Sequence, residues 1–71
     1  SDYVEESFFR IASNYEKFFD LPRAIEYYEL LARNYPSSKY AMDSIINAAF
    51  LRIGLHQYKE AARMYEQYSR T

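Results

Sequence analysis

The chain has 71 residues, of which 49% are hydrophobic and 20% aromatic, with nine Tyr and five Phe. That is too apolar for a disordered segment, and the length allows one small domain, which buries only ~60% of the surface its unfolded chain exposes. Nine basic against ten acidic residues leave a net charge of −1 and no basic stripe for a nucleic acid, and the absence of Cys excludes disulfides, thiolate metal sites and Cys nucleophiles.

One Gly and two Pro leave little turn material, so a few long helices are expected in place of many short strands. Asp2-Tyr3-Val4-Glu5 has the acid-then-Glu spacing of a helix start. Val4, Phe8, Ile11, Ala12, Tyr15, Phe18 and Phe19 follow at three- and four-residue steps, which predicts a first helix with one apolar stripe. Asp20-Leu21-Pro22 ends it and opens the next, Asp20 as cap and Pro22 in the first turn. The second helix turns Leu21, Ala24, Ile25, Tyr28, Leu31 and Ala32 inward, and Tyr35-Pro36 stops it. Ser37 and Ser38 offer caps for a third helix with apolar Ala41, Met42, Ile45, Ile46, Ala48, Ala49, Leu51 and Ile53. Gly54 is the expected left-handed residue at its end. A fourth helix begins near Gln57 and carries Tyr58, Ala61, Ala62, Met64, Tyr65 and Tyr68. Glu6–Arg10, Glu29–Arg33 and Glu66–Arg70 are acid-before-base pairs at i,i+4. No apolar run is long enough for a membrane span. There is no signal peptide and no initiator Met, and the opening in a helical pattern suggests a piece of a longer protein.

The two halves repeat. Phe8, Ile11, Ala12, Tyr15 and Phe19 match Met42, Ile45, Ile46, Ala49 and Ile53 at a spacing of 34, while Ala24-Ile25 and Tyr28 match Ala61-Ala62 and Tyr65 at 37. The extra three residues are expected in the second elbow, at Gly54-Leu55-His56. This pattern resembles the tetratricopeptide family: Phe8 at its large-aromatic position, Ile11 at its Leu, Ala12 at its small residue, Tyr15 at its Tyr, Ala24 at its helix-two Ala, Tyr28 at its second aromatic and Pro36 at its terminal Pro. In the second repeat Ile46 falls at the small-residue position and Ala49 at the Tyr, departures from the pattern. The junction Asn34-Tyr35-Pro36-Ser37-Ser38-Lys39-Tyr40-Ala41 is similar to that of bacterial cell-envelope members, of the outer-membrane assembly lipoprotein and Tol–Pal coordinator type. The resemblance implies an all-α fold of two antiparallel helix-turn-helix hairpins, an α-solenoid fragment. It gives a single domain over residues 1–71, with repeat one at about 3–36 and repeat two at about 37–70.

No residue set supports catalysis. His56, the one His, sits in a turn beside no carboxylate and reads as a solvated elbow residue. Glu26 and Glu29 fall on the outer side of the second helix and read as a solvated face. No Gly-rich phosphate loop, Ser/His/Asp set or metal-ligand spacing occurs, and no cofactor is expected. Tyr15, Tyr28 and Tyr65 are expected in the core, while Tyr3, Tyr27, Tyr40 and Tyr58 remain candidates for contact.

What the family resemblance implies is a protein-binding module. Its first helices line a concave groove, and by position the partner-binding residues are Phe9, Ser13 and Lys17 in helix one and Tyr40, Asp43, Asn47 and Phe50 in helix three. Glu6, Arg10, Glu16, Ser44 and Leu51 share that face. Phe9 has a competing expectation, packing under a preceding repeat. The Lys and Arg companions of the family's carboxylate clamp have no counterpart, so an acidic C-terminal tail is not the expected ligand. Partners are thus a protein or peptide, with no nucleic acid and no membrane insertion. A second function is self-association, as a homo-oligomer or with adjacent repeats, through Ala62, Met64, Tyr65 and Tyr68. The envelope resemblance implies the bacterial periplasm or the inner face of the outer membrane, with the cytoplasm as the other possibility.

Overall fold

The computed structural model describes residues 2–70 and the side chains of 3–70. These form four helices, α1 (Asp2–Lys17), α2 (Leu21–Asn34), α3 (Ala41–Gly54) and α4 (Tyr58–Ser69), with no strand among the described residues. Each helix packs on the next in chain order, which makes two antiparallel hairpins, α1–α2 and α3–α4, stacked as a solenoid fragment. The all-α expectation and the helix breaks hold. The expected helix start at Asp2 agrees with α1, and its side chain lies outside the described ones.

Local chemistry explains the boundaries. Asp20 accepts the Arg23 backbone N–H at 3.3 Å and its Nη1 at 3.0 Å, and Pro22 sits in the first turn of α2, where no N–H is missed. Tyr35 closes α2 by donating its N–H to the Leu31 carbonyl. The serines act differently from expectation. Tyr40 is the residue before α3 and no side chain caps that helix; Ser38 Oγ instead accepts the Tyr40 N–H at 3.1 Å, inside the turn.

The two elbows are the same motif. After α1 the Phe19 N–H reaches the Glu16 carbonyl (3.0 Å) and the Asp20 N–H the Tyr15 carbonyl (2.8 Å). After α3 the His56 N–H reaches the Ile53 carbonyl (2.9 Å) and the Gln57 N–H the Arg52 carbonyl (2.8 Å). Both are Schellman closures, which satisfy carbonyls at the helix end and place one residue in the left-handed region. That residue is Phe19 (φ 60°) or His56 (φ 62°), and Gly54, expected there, is the last helical residue of α3 with no positive φ.

Equal elbows correct the repeat register. Three residues, 18–20 and 55–57, separate the helices of each hairpin, so the second elbow carries no insertion. The spacing is 37 throughout, and the extra residues lie between hairpins, in the six-residue turn 35–40. In this register Ala12 matches Ala49 and Ala24 matches Ala61, and all four are buried. The departure ascribed to Ile46 disappears: it matches Phe9, and the small residue of repeat two is Ala49.

The interior is narrow because alanine lines it. Ala12, Ala24, Ala41, Ala48, Ala49 and Ala61 are all buried and let helix backbones approach closely. Ile25, Tyr28 and Leu31 add the large buried side chains, each worth about 1.5–3 kcal/mol relative to exposure. Phe18 and Phe19, expected on the α1 stripe, are instead in the elbow and more than four-fifths exposed, because α1 ends at Lys17.

Candidate partner-binding surface

Tyr28 is the post around which the two hairpins join. It enters from α2, is 1% exposed, and donates its hydroxyl to Glu16 Oε1 on α1 at 2.9 Å. Burial, then the hydrogen bond and the charge of Glu16, push its pKa up to about 12, while the Asn47 and Ser13 side chains pull the other way. The hydroxyl thus ties α2 to α1, while the ring shares the buried cluster with Ala48 of α3.

Phe9 packs edge-on against Tyr28, with ring centres 5.5 Å apart, and against Tyr40 at 5.2 Å. The Tyr40 hydroxyl donates to Glu6 Oε2 at 3.3 Å. The structure therefore brings Phe9, Ser13, Tyr40 and Asn47 together about Tyr28, all at least half-buried. Phe9 and Tyr40, expected to face a ligand, are largely engaged within the chain. Within the described residues Phe9 packs on α2 and on the turn that leads into α3.

Lys17, Asp43 and Phe50 are exposed, Phe50 by 62%. A shallow depression on α1 is lined by Phe9, Arg10, Ser13, Asn14 and Lys17. It has an aromatic floor and a polar, basic rim. Arg10 reaches Glu6 at 3.7 Å from a well-solvated position, so its guanidinium remains accessible. Ser44, placed on the same face by position, is fully buried and its hydroxyl has no partner; Leu51 packs against the core.

A second depression lies on the other side, between α2 and α4, with Glu29, Arg33, Arg52 and Met64 in its wall. Here Arg52 reaches Glu29 through Nη2 at 2.6 Å and Nε at 2.8 Å, and Gln57 through Nη1 at 2.8 Å. The pair is only about one-fifth exposed. Glu29–Arg33 has the i,i+4 spacing of an exposed pair, but Glu29 turns to Arg52, where a largely covered guanidinium gives it a charge-assisted hydrogen bond in place of one screened charge. In the correct register Arg52 stands where Tyr15 stands in repeat one. A cation at an aromatic packing position demands a carboxylate nearby, which is the signal that would have found it.

Of the expected self-association residues, Ala62 is exposed and Tyr65 and Tyr68 are half-buried on α4. Met64, expected beside them, packs instead on the core cluster of Ala12, Ala24, Ile25, Tyr28 and Ala48. His56 is exposed and stacks on Tyr58 at 5.8 Å. Among the described residues, no group of three or more His, Asp or Glu is placed to hold a metal, and no helix is long and apolar enough to cross a membrane.

The family model of the tetratricopeptide repeat matches residues 6–38. That segment covers all of α2, α1 from Glu6 onward and the start of the inter-hairpin turn. The match supports the tetratricopeptide family, whose repeats generally mediate protein–protein interaction. Comparison with the curated proteins and with the solved structures gives no match.

Proposed function

We propose that this chain, whose first hairpin is matched as a tetratricopeptide repeat, is a non-catalytic scaffold that binds a partner peptide or helix along the α1–α3 face. The observation that carries the reading is the depression of Phe9, Arg10, Ser13, Asn14 and Lys17 beside the Tyr28 post. The Tyr28–Glu16 hydrogen bond and the packing of Tyr28 on Ala48 fix the helices beneath it, so a ligand meets a preformed surface and little ordering opposes association. The basic rim favours a segment with acidic or carbonyl oxygens facing Arg10 and Lys17, and an apolar side chain over Phe9. Phe50 and Asp43 extend the same face along α3.

A photo-crosslinker at Ser13 tests this in the source cell. The expected adduct is one partner, lost on Arg10→Glu or Lys17→Glu and kept on Arg33→Glu, which changes charge on the opposite side. An adduct indifferent to Arg10 and Lys17 would remove this face as the site.

A bacterial envelope location, periplasmic or at the inner face of the outer membrane, belongs to the proposal through the resemblance of residues 34–41 alone. The cytoplasm is its alternative, since that string also serves a local need: Ser38 and Tyr40 build the turn and tie it to Glu6. Fractionation of the source cell decides between them. Self-association is the second reading, favoured by the uncovered Ala62 and the half-buried Tyr65 and Tyr68 at the end of the stack.

A further inference from the structure

The 37-residue register makes each end of the molecule comparable with the junction inside it. At that junction α3 presents Ala41, Ser44 and Ala48 to the first hairpin, with exposures of 6%, 0% and 0%. Their equivalents on α1 are Val4, Ser7 and Ile11, all exposed, Val4 by 44% and Ile11 by 39%. The receiving side behaves in the same way. Ile25 and Tyr28 are 4% and 1% exposed beneath α3, whereas their equivalents on α4 are the exposed Ala62 and the half-buried Tyr65. The chain thus carries, at opposite ends, the two halves of an interface it already makes once internally.

We propose that copies of this chain stack head to tail, the α1 face of Val4, Ser7 and Ile11 of one copy seated on the α3–α4 face of Ile46, Ala62 and Tyr65 of the next. The inference rests on the self-association reading and adds its geometry and its occupant, a second copy.

Three features of the side chains favour that occupant. Inside the chain, large Ile25 and small Ala48 share one buried cluster. Between copies the same positions hold small Ala62 and large Ile11, so the sizes exchange and the summed volume is kept. Tyr3 is the equivalent of Tyr40 and is 83% exposed. Seated like Tyr40, it brings its hydroxyl to Asp43, the equivalent of Glu6, and its ring to Ile46, the equivalent of Phe9. Ser7 already donates to the Tyr3 carbonyl at 2.8 Å, so it brings no unsatisfied hydroxyl into the contact. Two internal contacts are not reproduced: Ile46 replaces the Phe9 ring beside the tyrosine, and Tyr15 stands where Arg52 would meet Glu66, so the Glu29–Arg52 ion pair has no counterpart and the stack is weaker than the internal junction.

Such an interface uses a different patch on each partner, and it extends until an end is blocked. That gives a test which self-association through a symmetric patch fails. Ile11→Glu blocks one face and Ala62→Glu the other. Sedimentation equilibrium of the 71-residue chain over a concentration series is expected to show a mass that rises past the dimer, and each variant alone is expected to stay monomeric. An equimolar mixture of the two variants joins the one intact head to the one intact tail, so it forms a dimer and stops there. Val4→Glu and Ala62→Arg repeat the test should either first variant lose helicity by circular dichroism. A wild-type chain that is monomeric up to millimolar concentration overturns self-association and the stack with it. Association that stops at a dimer, survives both single variants, or is not restored by mixing them overturns the stack and leaves self-association standing.

Discussion

Phe19 and His56 hold the same left-handed backbone conformation, φ 60° and 62°, one position past the capping residue of α1 and of α3. Neither is glycine, so Cβ crowds the carbonyl in both elbows, at roughly 1–2 kcal/mol each. The Phe19 ring recovers little of this, since it is 86% exposed. Phe19→Gly is therefore expected to stabilise the chain by about 0.5–1 kcal/mol, the relief exceeding the entropy glycine gains when unfolded. Phe18→Gly, one position earlier with a negative φ, is the control and is expected to destabilise. Urea midpoints of the two variants give the comparison, and a Phe19→Gly midpoint at or below wild type would remove the strain argument.

Ala49 tests the register. At a spacing of 34 it would stand at the half-buried Tyr15 position and accept a larger side chain; at 37 it stands at the closed Ala12 position. Ala49→Leu is expected to overpack the α3–α4 contact and cost about 1–3 kcal/mol, as is Ala12→Leu in the first hairpin. Ala62→Leu, at the residue after the buried Ala61 and on an exposed side of α4, is expected to be near neutral in the monomer. Equal stability of Ala49→Leu and wild type would restore the shorter spacing.

Helix number, the approximate breaks between helices and the identity of Ala24, Ile25, Tyr28 and Leu31 as core were legible because periodicity and Pro placement are local properties. The register was not, because Ile45-Ile46 and Ala48-Ala49 offer two apolar alignments three residues apart, and sequence alone does not say which face is closed. The elbow motif decided it, through backbone hydrogen bonds to Tyr15 and Arg52 that leave no composition signal when the left-handed residue is Phe or His. Glu29–Arg52 was hidden by the same error. The groove was legible only as positions: Lys17, Asp43 and Phe50 face solvent as expected, while Phe9 and Tyr40 turned out to be joined to each other.

The Glu29–Arg52 pair should couple where the surface pairs do not. It is two-fifths as exposed as Glu66–Arg70 or less, and its fork makes more than one hydrogen bond. A double-mutant cycle with Glu29→Gln and Arg52→Gln is expected to give a coupling of about 1–2 kcal/mol. The Glu66–Arg70 cycle is expected at roughly 0.3–0.5 kcal/mol and to vanish in high salt. Indistinguishable cycles would mean that α2 and α3 are held by packing alone.

Tyr28 makes the chain's stability depend on alkaline pH in a specific window. Its folded pKa is pushed up to about 12 from the ordinary tyrosine value of 10.0, so the unfolded chain releases this proton first. Above pH 10 the unfolded state then binds fewer protons than the folded state, and stability falls as pH rises. The contribution is fully present below 10 and is lost as pH climbs through about 12, a change on the order of 2 kcal/mol. Tyr28→Phe removes the titrating group while keeping the ring against Phe9. At neutral pH it also removes the hydrogen bond to Glu16, whose carboxylate is exposed and finds water, so the expected cost is about 0.5–1.5 kcal/mol. The other tyrosines titrate in both proteins and cancel in the difference. Urea unfolding of wild type and variant across the alkaline range should show wild type the more stable at neutral pH and the two curves meeting and crossing between pH 10 and 12, because the alkaline loss exceeds the neutral separation. Parallel curves would show that the Tyr28 hydroxyl is not held by burial and Glu16, and the post joining α1, α2 and α3 would then rest on its ring alone.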